Sequence, residues 1–143
     1  MLTLLVGVGN PWRGDDAAGL EVARRVRALR GPAEVREIEG DASSLVAAWA
    51  GRERVAVVDA ARSGAEPGTV HVFRADLAPI PATLCSSTHA FGVADAIELS
   101  RALGRLPRRL DVYAVEGADF ALGASLSPAV ARRVEALAAE LSG

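Results

Sequence analysis

The stretch Leu5-Val6-Gly7-Val8-Gly9-Asn10-Pro11-Trp12-Arg13-Gly14-Asp15-Asp16-Ala17-Ala18-Gly19 constrains this chain more than any other. Apolar residues run into two closely spaced glycines, a turn dipeptide follows, and paired carboxylates stand where an amphipathic helix must begin. Strand, tight loop and helix start in that order open a parallel α/β unit. In such sheets ligands sit just outside the carboxyl ends of the strands, so polar residues placed there are the first candidates for chemistry.

The rest of the chain continues the pattern. Residues 2–9 read as a buried strand and 15–29 as a helix with Ala18, Val22, Val26 and Leu29 on one face and Gly31-Pro32 as its stop. Residues 33–39 form a second strand, and Asp41, Ser43 or Ser44 caps a short helix through Trp49. A third buried strand, 54–60, delivers Asp59 to its carboxyl end. After the turn-rich Ser63 to Gly68, the short connection favours an antiparallel strand over 69–73.

Residues 75–88 read as a loop, and a helix follows over 90–103 with His89 at its amino end. Val93, Ile97 and Ser100 or Leu99 face inward, and Gly104 is the cap. A last strand over 110–115 ends at Glu116-Gly117-Ala118-Asp119, and Ser127-Pro128 opens a final helix whose stripe is Val130, Val134, Leu137 and Leu141. The element order implies a single α/β domain over 1–143, a three-layer α/β/α sandwich with a mixed, mostly parallel sheet of about five strands.

Composition narrows the function classes. With 16 basic residues, all arginine, spread among 18 acidic ones, a net charge of −2 and a pI near 5.7, a nucleic-acid surface is disfavoured. No apolar run approaches the ~20 residues of a membrane span, and no signal-peptide pattern opens the sequence, so a soluble, cytoplasmic protein is expected. The single Cys85 reads as a small buried or half-buried apolar residue.

Gly7-x-Gly9 suggests a dinucleotide loop, and Glu39 could imitate a ribose-binding acid, but Trp12 stands where the third glycine belongs and Pro11 removes a backbone N–H. A phosphate loop of the Gly-x4-Gly-Lys type is excluded by the absence of lysine. No nucleotide cofactor is expected. Asp16, Asp59 and His89 form the better constellation: all are assigned to the same sheet edge, and two carboxylates with one imidazole suit a borderline divalent ion. Taken singly, each has a plainer role as helix-dipole partner, turn former or cap neighbour. Asp15 is read as the cap of the first helix; adjacent to Asp16, it also forms a carboxylate pair in which each raises the other, so that one of the two could act as a general base. His71 is read as structural or surface-exposed and away from the edge, and Trp12 as packed against its own loop, with exposure for contact with a peptide partner as the alternative.

The motif Val6-Gly7-Val8-Gly9-Asn10-x3-Gly14-Asp15-Asp16-x2-Gly19, the segment Val58-Asp59-Ala60 followed by Gly64 and Pro67-Gly68, and Ser87-Thr88-His89 resemble the hydrogenase maturation proteases, with the likeness reaching Leu126-Ser127-Pro128. The resemblance implies a phosphorylase/hydrolase-like fold and an endopeptidase that trims the carboxyl-terminal tail from the large-subunit precursor of a nickel–iron hydrogenase after nickel insertion. It makes Asp16, Asp59 and His89 both the catalytic and the metal-contacting set, with nickel supplied by the precursor. Many members have Asp-Gly-Gly where this chain reads Glu39-Gly40-Asp41, so that segment is the expected substrate-recognition element with altered chemistry. A monomer is expected from small size and transient partnering. Two other readings stand beside it. Gly7-Val8-Gly9-Asn10-Pro11 also looks like the start of peptidyl-tRNA hydrolase, though the histidine segment of that family is missing; a catalytically silent metal- or protein-binding domain is the other.

Overall fold

The computed structural model describes residues 2–81 and 92–143. Five strands, β1 (Leu4–Val8), β2 (Glu34–Ile38), β3 (Arg54–Ala61), β4 (Val70–Arg74) and β5 (Arg109–Glu116), form one sheet in the order β2-β1-β3-β5-β4. All neighbours are parallel except β4, which runs antiparallel to β5. The mixed, mostly parallel sheet is the expected one, and β4 turns back because a short connection cannot accommodate a parallel crossover.

Helices α1 (Ala18–Ala28) and α4 (Pro128–Ser142) cover one face; α2 (Ala42–Trp49) and α3 (Val93–Leu103) cover the other. The strands' period of two sorts the core. Leu4, Val6, Val8, Val55 and Val57 pack under α2 and α3, while Leu5, Ala56 and Val58 pack under α1 and α4. Between α2 and α3 the Trp49 indole N–H donates a buried 2.8 Å hydrogen bond to Ser100 Oγ. Ser100, not Leu99, is therefore the inward residue; Leu99 is exposed.

The paired glycines serve packing. A Cβ on Gly7 would lie 2.6 Å from Ala23 Cβ and strike the Gly19 carbonyl, and one on Gly9 would strike the Asp16 carbonyl. The helix following β1 thus sits closer to the sheet than any larger residue permits. This helix does not start at Asp15 as its sequence suggests: Gly14–Ala17 form a 3-10 turn, and α1 proper begins at Ala18. Leu29 is also displaced from the expected face, exposed beyond the end of α1, where Arg30 takes a φ of 55° and leads the chain away. Among the described residues no helix is long and apolar enough to cross a membrane. Cys85, His89 and the expected first turn of the third helix, 90–91, lie outside the described residues.

Candidate active site

The carboxyl ends of β1, β3 and β5 carry three loops that converge on a cleft of about 420 Å³. Arg13 and Asp16 line it from the β1 loop, Arg62 from the β3 loop, and residues 118–121 from the β5 loop. Asp16 is 2% exposed on the 3-10 turn, with its backbone N–H bonded to the Arg13 carbonyl at 3.0 Å. Asp59 is 8% exposed, and its Oδ1 accepts from the Ala60 N–H at 2.8 Å. It continues the Val55 and Val57 row, on the face covered by α2 and α3, one position beyond the Gly7–Val58 pair that joins β1 to β3. Asp59 thus stands near the carboxyl end of β3, and Asp16 on the loop that leaves the carboxyl end of the neighbouring β1, the edge where such a sheet concentrates ligands. His89 lies outside the described residues, and among the described residues no three His, Cys, Asp or Glu side chains gather as a metal cluster.

Asp15 does something other than either role expected of it. Its side chain is fully buried and crosses to the β5 loop, where Oδ2 accepts from Ala118 N–H (2.7 Å), Asp119 N–H (2.9 Å) and Ser127 Oγ (2.7 Å), and Oδ1 from Ser127 N–H (2.7 Å). Its own N–H returns a 2.8 Å bond to the Asp119 carbonyl. Burial pushes the carboxyl up, but these donors outweigh it and hold the group below the ordinary aspartate range, so it is not a proton-accepting base raised by Asp16. Nor is it a helix cap. Its donors lie more than a hundred residues away, which is why local sequence does not reveal them.

Glu116, not singled out in the sequence, is the second fastener of this edge. It is 1% exposed and accepts from Ser63 N–H (2.8 Å) and Ser63 Oγ (2.6 Å), with His71 Nε2 at 3.2 Å. Burial raises its carboxyl, and the bonds from Ser63, His71 and the Gly64 backbone override this and lower it. His71 is structural as expected, yet it is not remote from the edge: because β4 is antiparallel, its first residues pair with Val115 and Ala114 at the carboxyl end of β5. Arg62, missed by sequence reasoning, stacks 4.9 Å over the Phe120 ring across the cleft. The available signal was Gly117, where a Cβ would lie 2.6 Å from Phe120 Cζ and 2.8 Å from Asp15 Cβ.

Trp12 is 70% exposed and so is not packed on its loop. In the Glu39-Gly40-Asp41 segment, Asp41 caps α2 by accepting from Ser44 N–H (3.0 Å) and Ser43 Oγ (2.9 Å), Gly40 is buried with a φ of 115°, and Glu39 is exposed. The Gly9 N–H bonds the Ile38 carbonyl at 3.2 Å, which brings this segment beside the first loop.

A family model described as hydrogenase maturation protease matches residues 22–142. The chain is 29% identical over 142 residues to the hydrogenase 2 maturation protease of Escherichia coli, covering 94% of this chain and 85% of that one. Its fold superposes on a hydrogenase-maturating endopeptidase from E. coli with a TM-score of 0.79 at 26% identity, over 99% of this chain and 90% of that one. A solution structure of an E. coli endopeptidase gives 0.78 at 28% identity, with the same coverage. Of the readings open from the sequence, these matches carry one: the chain belongs to the hydrogenase maturation protease family and is a peptide-bond hydrolase.

Proposed function

We propose that this protease removes the carboxyl-terminal tail of a nickel–iron hydrogenase large-subunit precursor once nickel has been inserted, and that nickel held by the precursor is its recognition signal. The observation that carries this reading is the pair of buried carboxylates, Asp16 lining an open cleft on the loop after β1, and Asp59 near the carboxyl end of the adjacent strand β3. Two hard anionic oxygens with the imidazole of His89 form a donor set fitted to a borderline divalent ion that already has ligands of its own. Contacts to that ion add affinity only for a loaded precursor, which makes metal loading the checkpoint.

The same carboxylates supply the hydrolytic chemistry. Water adds to the scissile carbonyl carbon as Asp16 takes its proton, and the proton passes to the departing amine nitrogen when the C–N bond breaks. Low solvent exposure around Asp16 strengthens its interaction with the developing charge. The reading places the reaction in the cytoplasm, with the enzyme a monomer that meets its precursor transiently.

Purified precursor, loaded with nickel or free of it, is incubated with wild-type enzyme and with Asp16→Asn, Asp59→Asn and His89→Ala, and its intact mass is followed. Wild type shortens only loaded precursor, and the three variants leave the tail in place. Cleavage of nickel-free precursor at the same rate sinks metal recognition, and full activity of Asp16→Asn sinks the assignment of the proton acceptor.

A further inference from the structure

Trp12 and Leu122 are the two most exposed large apolar side chains among the described residues, at 70% and 72%. They belong to different loops, yet the Gly123 N–H donates a 2.8 Å bond to the Trp12 carbonyl and stitches the loops together at this point. The backbone under Trp12 is ordered as well: its N–H donates to Asn10 Oδ1 at 2.9 Å, and Arg13 N–H reaches the Asn10 carbonyl at 3.4 Å. The main-chain entropy of presenting the indole is therefore lost on folding and not again on binding.

The position of this pair is as informative as its exposure. Arg13 follows Trp12, Ala121 precedes Leu122, and both Arg13 and Ala121 line the cleft that contains Asp16. Each member of the apolar pair is thus the chain neighbour of a residue that lines the cleft. Arg13 is exposed and has no ion-pair partner among the described residues. Tryptophan and arginine are residue types on which docking energy concentrates.

Resting on the reading of the chain as an endopeptidase for the hydrogenase precursor, we propose that Trp12 and Leu122 form an apolar clamp that docks the precursor, gripping an apolar side chain flanked by a carboxylate that pairs with Arg13. The clamp sets affinity and orientation, and the buried carboxylates act on the chain it delivers.

The test uses purified nickel-loaded precursor. Trp12→Ala and Leu122→Ala raise KM roughly tenfold or more, the scale of a docking anchor, with a much smaller change in kcat. Arg13→Glu raises KM, and Arg13→Lys restores most of it. Leu77→Ala, which removes an equally exposed leucine (69%) after β4 at the opposite end of the sheet, leaves KM unchanged. Thermal melting of each variant checks the fold. Binding is read separately by acrylamide quenching: Trp12 is accessible and Trp49 fully buried, so saturating loaded precursor, mixed with wild-type protein and read before turnover, shields the quenchable tryptophan. Unchanged KM in both alanine variants, or quenching unaffected by saturating precursor, overturns the clamp. Wild-type enzyme that shields Trp12 but cleaves nothing overturns the endopeptidase reading instead.

Discussion

The Ser127 hydroxyl, at the amino end of α4, donates its hydrogen bond to Asp15, 112 residues earlier in the chain, and makes no cap bond to its own helix. A residue type placed to start a helix is used to fasten two walls of the cleft. Asp15→Ala leaves three backbone N–H groups of the β5 loop without their acceptor, and buried orphan donors cost about 1–3 kcal/mol each. The variant should lose at least about 3 kcal/mol in urea unfolding. A loss below about 1 kcal/mol would mean that the loops are held by something else.

The same carboxylate makes stability pH-dependent with a definite sign. Its folded pKa is lowered, so its contribution is complete above the unfolded value of about 4 and is lost as pH falls from there through the folded value. The stability difference between wild type and Asp15→Asn should be constant near neutrality and shrink below about pH 5. A difference that grows on acidification would contradict the assignment.

Glu116→Gln tests the second fastener. Its carboxylate serves Ser63 and its carbonyl serves Gly68, whose N–H lies 2.8 Å away. Amide exchange should accelerate at Ser63 and stay slow at Gly68, because only the side-chain bond is weakened. Equal acceleration at both sites would show that the whole strand end has loosened.

Gly19→Ala probes the close approach of α1. The added methyl would strike the carbonyls of Val58 and Val8, both backbone atoms of the central strands, so the variant should lose about 3 kcal/mol or more, or fail to fold. Gly51→Ala has open space around its Cβ and a φ of 75°, and should cost only about 1 kcal/mol. Similar losses in denaturant unfolding would refute the packing account.

Asp59→Asn should separate stability from activity. The amide oxygen can keep the bond from Ala60 N–H, so the variant should stay folded. Precursor cleavage should fall about a hundredfold or more, the scale of a lost acid–base or ion-contacting group. Retained cleavage would remove Asp59 from the site.

What could be read from the sequence follows from the range of the interactions involved. Strands β1, β3 and β5 are apolar runs covered on both faces, and the stripe of α4 repeats with the helix period, so local pattern suffices for them. Asp16, on the loop after an apolar strand, and Asp59, at the carboxyl end of another, stand out by position. The roles of Asp15 and Glu116 are not legible in the sequence, because their partners lie 103 and 53 residues away and no periodicity encodes such a pairing. His71 was set too far from the edge because strand direction, not strand position, decides where its end lies. The exposure of Trp12 depends on how the 3-10 turn and the β5 loop meet, which tertiary contacts alone decide.

Glu116 grips both ends of the β3–β4 connection, the Ser63–Gly64 end through its side chain and Gly68 through its carbonyl, with open space where a Gly64 Cβ would stand. The connection is a cassette with fixed terminals. Residues can be added between those terminals for little more than the entropy of a longer loop, about 0.6 kcal/mol per doubling, with neither Asp59 nor the strands asked to move. Descendants of this fold can therefore reshape one margin of the sheet edge by drift in a hairpin, while the residues beneath it stay under separate selection.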